Sequence, residues 1–135
     1  MSRNKVPNQP KSIKNIEVGK FYFIHDGSKT GHPGYIVWKD DQANLYLAIK
    51  FGTSCNEHNY KFDRPLGKKA KASYVYRRLF LGKRKDFNKR ILNDMFITDE
   101  ESEDILNQMD YLNPVFSTNI NRKNKRYYRW RFRQK

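Results

Sequence analysis

The chain has 135 residues, 37% of them hydrophobic and 15% aromatic, with 28 Lys and Arg against 14 Asp and Glu, a formal net charge of +14. That length holds one domain core, and the lone Cys55 excludes an internal disulfide framework. No apolar run approaches the roughly 20 residues that cross a bilayer, and Met1 to Lys20 is polar without a signal peptide's apolar segment, so the expected address is the cytoplasm.

In chain order, residues 1–16, with their Asn, Lys, Ser and Pro, are expected to form a flexible basic arm. One domain follows over 17–121. Phe21 to His25 is a short aromatic strand, and Asp26 to Gly31 is a turn by its Asp-Gly pair and flanking glycine. Gly34 to Lys39 and Leu45 to Phe51 are two more strands, joined through Asp40 to Asn44 as a hairpin. Gly52 to Lys71 shows no periodicity and is assigned to a long basic loop. Ala72 to Leu81 alternates apolar and polar residues as one strand. Asp86 to Met95 fits a short helix or a strand equally well.

Thr98 is a good helix N-cap, and Glu101 three residues on completes a capping box, so a helix is expected over 98–112. It should stop before Asn113-Pro114. Val115 to Phe116 is a further strand candidate. In the stretch 122–135, Tyr128, Trp130 and Phe132 alternate with Arg129, Arg131 and Arg133, which predicts a basic aromatic strand or tail. The fold class is therefore mainly β with some α, a small curved β-barrel with a helix in its C-terminal half. No Walker loop, Gly-x-Gly-x-x-Gly motif or internal repeat is present.

Charge is unevenly placed. Arg64 to Arg90 carries eleven cations and one acid, and Arg122 to Lys135 carries eight cations and none. Between them, Asp99 to Asp110 holds six acids and no base. A field of this kind concentrates polyanions and speeds their capture, so RNA or DNA is the expected partner. The cations offered for phosphate contact are Lys50, Lys68, Lys69, Lys71, Arg77, Arg78, Lys83, Arg84, Arg126, Arg129, Arg131 and Arg133. The aromatic rings among them are suited to stacking on unpaired bases, or to packing against the core.

The order of features from 17 to 112 resembles the MazF/PemK/Kid family, toxins of type II toxin–antitoxin pairs. Val18-Gly19-Lys20-Phe21 matches the family's Val-Gly start, and His32-Pro33-Gly34 matches its basic residue before Pro. Thr53-Ser54, Ser73-Tyr74-Val75 and Thr98-Asp99-Glu100-Glu101 match its Thr-Ser pair, its Ser-x-Val strand and the opening of its terminal helix. The resemblance implies an SH3-like barrel, a homodimer, an acidic antitoxin protein as partner, and metal-independent cleavage of single-stranded RNA. Carried over by position, His32, Thr53 and Ser54 become the catalytic candidates. The chain departs from the family at His32, where an arginine is usual. Arginine offers a fixed bidentate charge, whereas histidine offers acid–base chemistry.

Metal-free RNA cleavage needs a base for the ribose 2′-hydroxyl, a cation for the charge gathering on phosphorus, and an acid for the leaving 5′-oxygen. His32 is suited to base or acid, Lys50, Arg77 or Arg78 to the charge, and Thr53 and Ser54 to hydrogen bonds with phosphate. His25 and His58 are further acid–base candidates. Three histidines and one cysteine on separate segments lack metal-ligand spacing, so no metal and no cofactor are expected. The plainer roles are turn capping by Thr53-Ser54, an exposed loop position for His32 and a solvated strand face for Arg77-Arg78. A binding module without catalysis is the competing expectation.

Overall fold

The computed structural model describes residues 15–69 and 72–133. Among these residues seven strands and two helices follow in the order β1 (Phe21–Ile24), β2 (His32–Asp40), β3 (Leu45–Gly52), β4 (Asn59–Lys61), β5 (Tyr74–Tyr76), β6 (Phe80–Gly82), α1 (Asp99–Leu106), β7 (Val115–Phe116) and α2 (Arg122–Arg133). A 3₁₀ turn, Arg84–Asp86, follows β6. All seven strands belong to one sheet ordered β1-β2-β3-β5-β4, with β6 beside β3 and β7 beside β6. Every pairing is antiparallel except β6 with β7. Among the described residues the strand ladder does not close on itself. Instead, the free edge of β1 is taken up by irregular backbone, through His25 N–H to Asp86 O, Asn88 N–H to Phe23 O and Leu92 N–H to Phe21 O.

β3 organises the core. Its residues from Leu45 to Ile49, and Phe51, are fully buried. Side chains of a strand alternate between faces, and here both faces are covered. Leu45, Leu47, Ile49 and Phe51 join Phe21, Tyr35, Val75, Leu81, Ile105 and Tyr128 on one side. Tyr46 and Ala48 join Ile16, Tyr22, Ile24, Ile36, Phe80 and Phe87 on the other. Two covered faces explain why β3 is a near-continuous apolar run rather than an alternating one. Among the described residues no helix is long and apolar enough to cross a membrane.

Several expectations are corrected. Residues 1–14 of the expected arm lie outside the described residues, but Ile16 is fully buried in the second core cluster. The expected loop from 52 to 71 contains β4, which pairs with β5. The single strand expected from 72 to 81 is two strands, because both align on β3 with different spacing. Val75 pairs with Phe51 and Phe80 with Ala48, so five steps on one strand face three on the other. Arg77 and Arg78 fall in that two-residue excess and are exposed.

α1 has the expected Thr98 cap and Glu101 box but ends at Leu106 rather than near 112. The Asp110 carboxylate accepts from Leu112 N–H and from the Asn113 side chain, closing a turn there instead. The stretch expected as a basic aromatic strand or tail forms the helix α2 instead. Asn121 and Asn124 each accept the other's backbone N–H, at 2.8 and 3.1 Å, a reciprocal cap that starts the helix. The helix then sets Tyr128 and Phe132 four residues apart on one face, where both rings meet Trp38.

Candidate nucleic-acid interface with an acid–base centre

Strand parity brings the central side chains together. Lys50 shares its face of β3 with Tyr46 and Ala48, and His32 shares its face of β2 with Ile36. Tyr76 lies one step beyond the Val75–Phe51 pair and so stands opposite Lys50. The Lys50 ammonium sits 4.5 Å from the centre of the Tyr76 ring. Gly52 makes room for that ring, since a Cβ there would come within 2.9 Å of a Tyr76 ring carbon.

The turn after β1 supplies the anion. Asp26 accepts from Ser28 N–H at 3.2 Å and from the Ser28 hydroxyl at 2.7 Å. Ser28 Oγ in turn accepts from Gly31 N–H at 3.0 Å. Gly31 has φ +75° and lies so close to the Ile24 carbonyl that a Cβ would come within 2.7 Å of it. This tight return delivers His32 onto Asp26. His32 Nδ1 lies 2.6 Å from Asp26 Oδ2, and Lys50 Nζ lies 2.7 Å from the same oxygen. Burial raises the Asp26 carboxyl, but hydrogen bonds from Lys50 and Ser28 outweigh it and hold the group far below the usual carboxylate range. An ionised carboxylate can only accept, so His32 Nδ1 carries the hydrogen. Nε2 is then the nitrogen left to accept, 3.4 Å from the Tyr76 hydroxyl.

Beside this centre runs a cleft of about 500 Å³ lined by Lys50, Glu57, His58, Tyr76, Arg77, Arg78, Phe80 and Val115. A smaller one of about 230 Å³, lined by His25, Asp26, Ser117 and Thr118 among others, shares Lys50, Phe80 and Val115 with it. The two adjoin at those residues as one groove, where Lys50, Arg77 and Arg78 stand with the carboxylates of Asp26, Glu57 and Asp86. Val115 is 41% exposed there. Arg78 is braced against the Asn113 and Pro114 carbonyls, and Arg77 lies over the Tyr60 ring.

The sequence candidates divide. Lys50, Arg77 and Arg78 line the groove, and His32 reaches it only through its contacts with Asp26 and Tyr76. Thr53 and Ser54 lie on an exposed bend past β3, where Ser54 O accepts from the Asn59 side chain, and neither lines the groove. Lys68 and Lys69 border two other depressions, and Lys71 lies outside the described residues. Lys83 is half-buried, and Arg84 is tied to the Asn44 and Tyr46 side chains. Arg129 donates to Leu112 O and Arg131 to Asp40, so both serve packing. Arg126 and Arg133 are exposed on α2.

Two residues of the centre escape sequence reasoning. Asp26 reads as an ordinary Asp-Gly turn, and only the return through Gly31 gives it a second role. Tyr76 is detectable only through its register with Lys50. Among the described residues no three His, Cys, Asp or Glu side chains are placed to hold a metal ion, and Cys55 is exposed. No protein-family model matches the sequence, and no characterised protein matches it significantly.

Proposed function

We propose that this chain binds single-stranded RNA along the groove and cleaves it at the Asp26–His32 pair without a resident metal, on an SH3-like barrel as the MazF/PemK/Kid resemblance implies. The observation that carries the reading is His32, aligned by Asp26 at 2.6 Å and standing 3.4 Å from the Tyr76 hydroxyl, both of them residues that line the groove holding Lys50, Arg77 and Arg78. His32 Nε2 takes the proton of the ribose 2′-hydroxyl. The freed O2′ forms a bond to phosphorus, the P–O5′ bond breaks, and His58 returns a proton to O5′. The products are a 2′,3′-cyclic phosphate and a 5′-hydroxyl end. Lys50, Arg77 and Arg78 balance the charge that builds on the phosphoryl oxygens. Thr53 and Ser54, at the adjoining bend, then serve flanking phosphates. The backbone from 86 to 92 bonded along β1 supports the barrel reading. An acidic antitoxin segment suits the cations of the same groove, and dimerisation is what the resemblance implies.

A non-catalytic binding module is the second reading, favoured by the position of Thr53 and Ser54 away from His32 and by the Lys50–Asp26 ion pair. One experiment separates them: long single-stranded RNA incubated in EDTA with wild type and with His32→Ala. Discrete cyclic-phosphate-ended fragments made by wild type only are the expected result. RNA that stays intact but shifts in a low-salt gel overturns cleavage in favour of binding alone.

A further inference from the structure

α2 contains seven cations between Arg122 and Arg133, and they divide by face. Lys125 and Arg129 lie over the Phe116 ring, and Arg131 reaches Asp40. The other four, Arg122, Lys123, Arg126 and Arg133, are exposed, and none pairs with an acid among the described residues. Arg122, Arg126, Trp130 and Arg133 follow at spacings of four, four and three, one stripe of an α-helix about 16 Å long. Trp130 is 55% exposed at its centre, with its ring beside that of Tyr127.

Folding does not account for this stripe. Cations in the first turn of a helix oppose its macrodipole, and α2 has no acid there to offset Arg122 and Lys123. An exposed indole gives up burial that the core would reward. Local rules broken without a structural return are the mark of a working surface. We propose that the outward face of α2 is a second contact surface for single-stranded nucleic acid, separate from the groove. Arg122, Lys123, Arg126 and Arg133 hold successive phosphates while the Trp130 indole stacks on an unpaired base. An anionic membrane fits less well. A helix that lies on lipid needs an apolar face to sink, and here Tyr128 and Phe132 are already packed against Trp38. The proposal rests on the chain binding nucleic acid and is independent of the Asp26–His32 chemistry.

The test uses the full chain and a 12-nucleotide 2′-O-methyl RNA, which offers no 2′-hydroxyl for cleavage. Titration quenches tryptophan emission in wild type and in His32→Ala, and the quenching is lost in Trp130→Phe. Trp130→Ala weakens binding roughly tenfold. Arg126→Gln with Arg133→Gln makes the slope of log affinity against log salt shallower by about 1.4, or about 0.7 for each cation removed. Quenching that persists in Trp130→Phe, or a salt slope that the double variant leaves unchanged, overturns the proposal. So does emission that responds to phosphatidylserine vesicles and not to the oligonucleotide. Because the probe resists cleavage, intact RNA in the EDTA experiment counts against the nuclease alone.

Discussion

Asp26 serves two cations and a turn with one carboxylate. Oδ1 holds the Ser28 amide and hydroxyl, while Oδ2 faces both His32 and Lys50. Its side chain is only 9% exposed, so little water helps to carry the charge. Removing the charge leaves Lys50, itself 18% exposed, without its partner. Asp26→Asn should therefore cost about 2 kcal/mol at pH 7, the scale of a lost charged hydrogen bond. The folded carboxyl lies below its unfolded value, so its contribution is fully present above the unfolded pKa and fades as pH falls toward the folded one. Urea titrations of both proteins should show the gap holding above about pH 4 and narrowing below it. A gap that is constant down to pH 2 would show that the asparagine disturbs geometry and not charge.

At the scale of elements, β1, β2, β3 and α1 were legible because each carries its own signal. β3 has an apolar run bounded by a turn and a glycine, and α1 has the Thr98–Glu101 box. β4 was not legible: Asn59-Tyr60-Lys61 has no pattern of its own and is a strand because β5 offers an edge to pair with. α2 was misread because aromatic–arginine alternation satisfies period two, while Tyr128 and Phe132 also satisfy the helical spacing of four. The deciding signal was Asn121 with Asn124, outside the alternating stretch. That cap bears unusual weight, since the first turn of α2 is cationic. Asn121→Ala should cost about 1 kcal/mol and weaken the near-ultraviolet dichroism of Trp38, which packs on Tyr128 and Phe132. Unchanged stability would mean that packing alone starts the helix. The candidate site was half legible for a related reason. Its cations stand out by charge, but the Asp26–His32 and Lys50–Tyr76 pairings exist only once register and turn are set.

Across the whole molecule, no residue of α1 lines the groove. Glu101 is taken by Arg64 in a two-bond contact at 3.1 and 2.7 Å, which removes one cation from the basic block. The C-terminal helix is secured from far away. Asp40, at the tip of the β2–β3 hairpin, accepts from Ala43 N–H and also from the Tyr127 hydroxyl and Arg131. Those last contacts cross 87 and 91 positions of chain, and closing so large a loop is slow compared with forming the hairpin. The expected consequence is kinetic: α2 should dock late, after the barrier to folding has been crossed, and act as a latch on the way out. Tyr127→Phe keeps the hairpin's own bond and the Arg131 contact, and removes one hydrogen bond of the latch. In stopped-flow measurements it should speed unfolding about tenfold, equivalent to about 1.4 kcal/mol, and leave the refolding rate unchanged. A variant that instead refolds tenfold more slowly would make α2 part of the nucleus around which the sheet assembles.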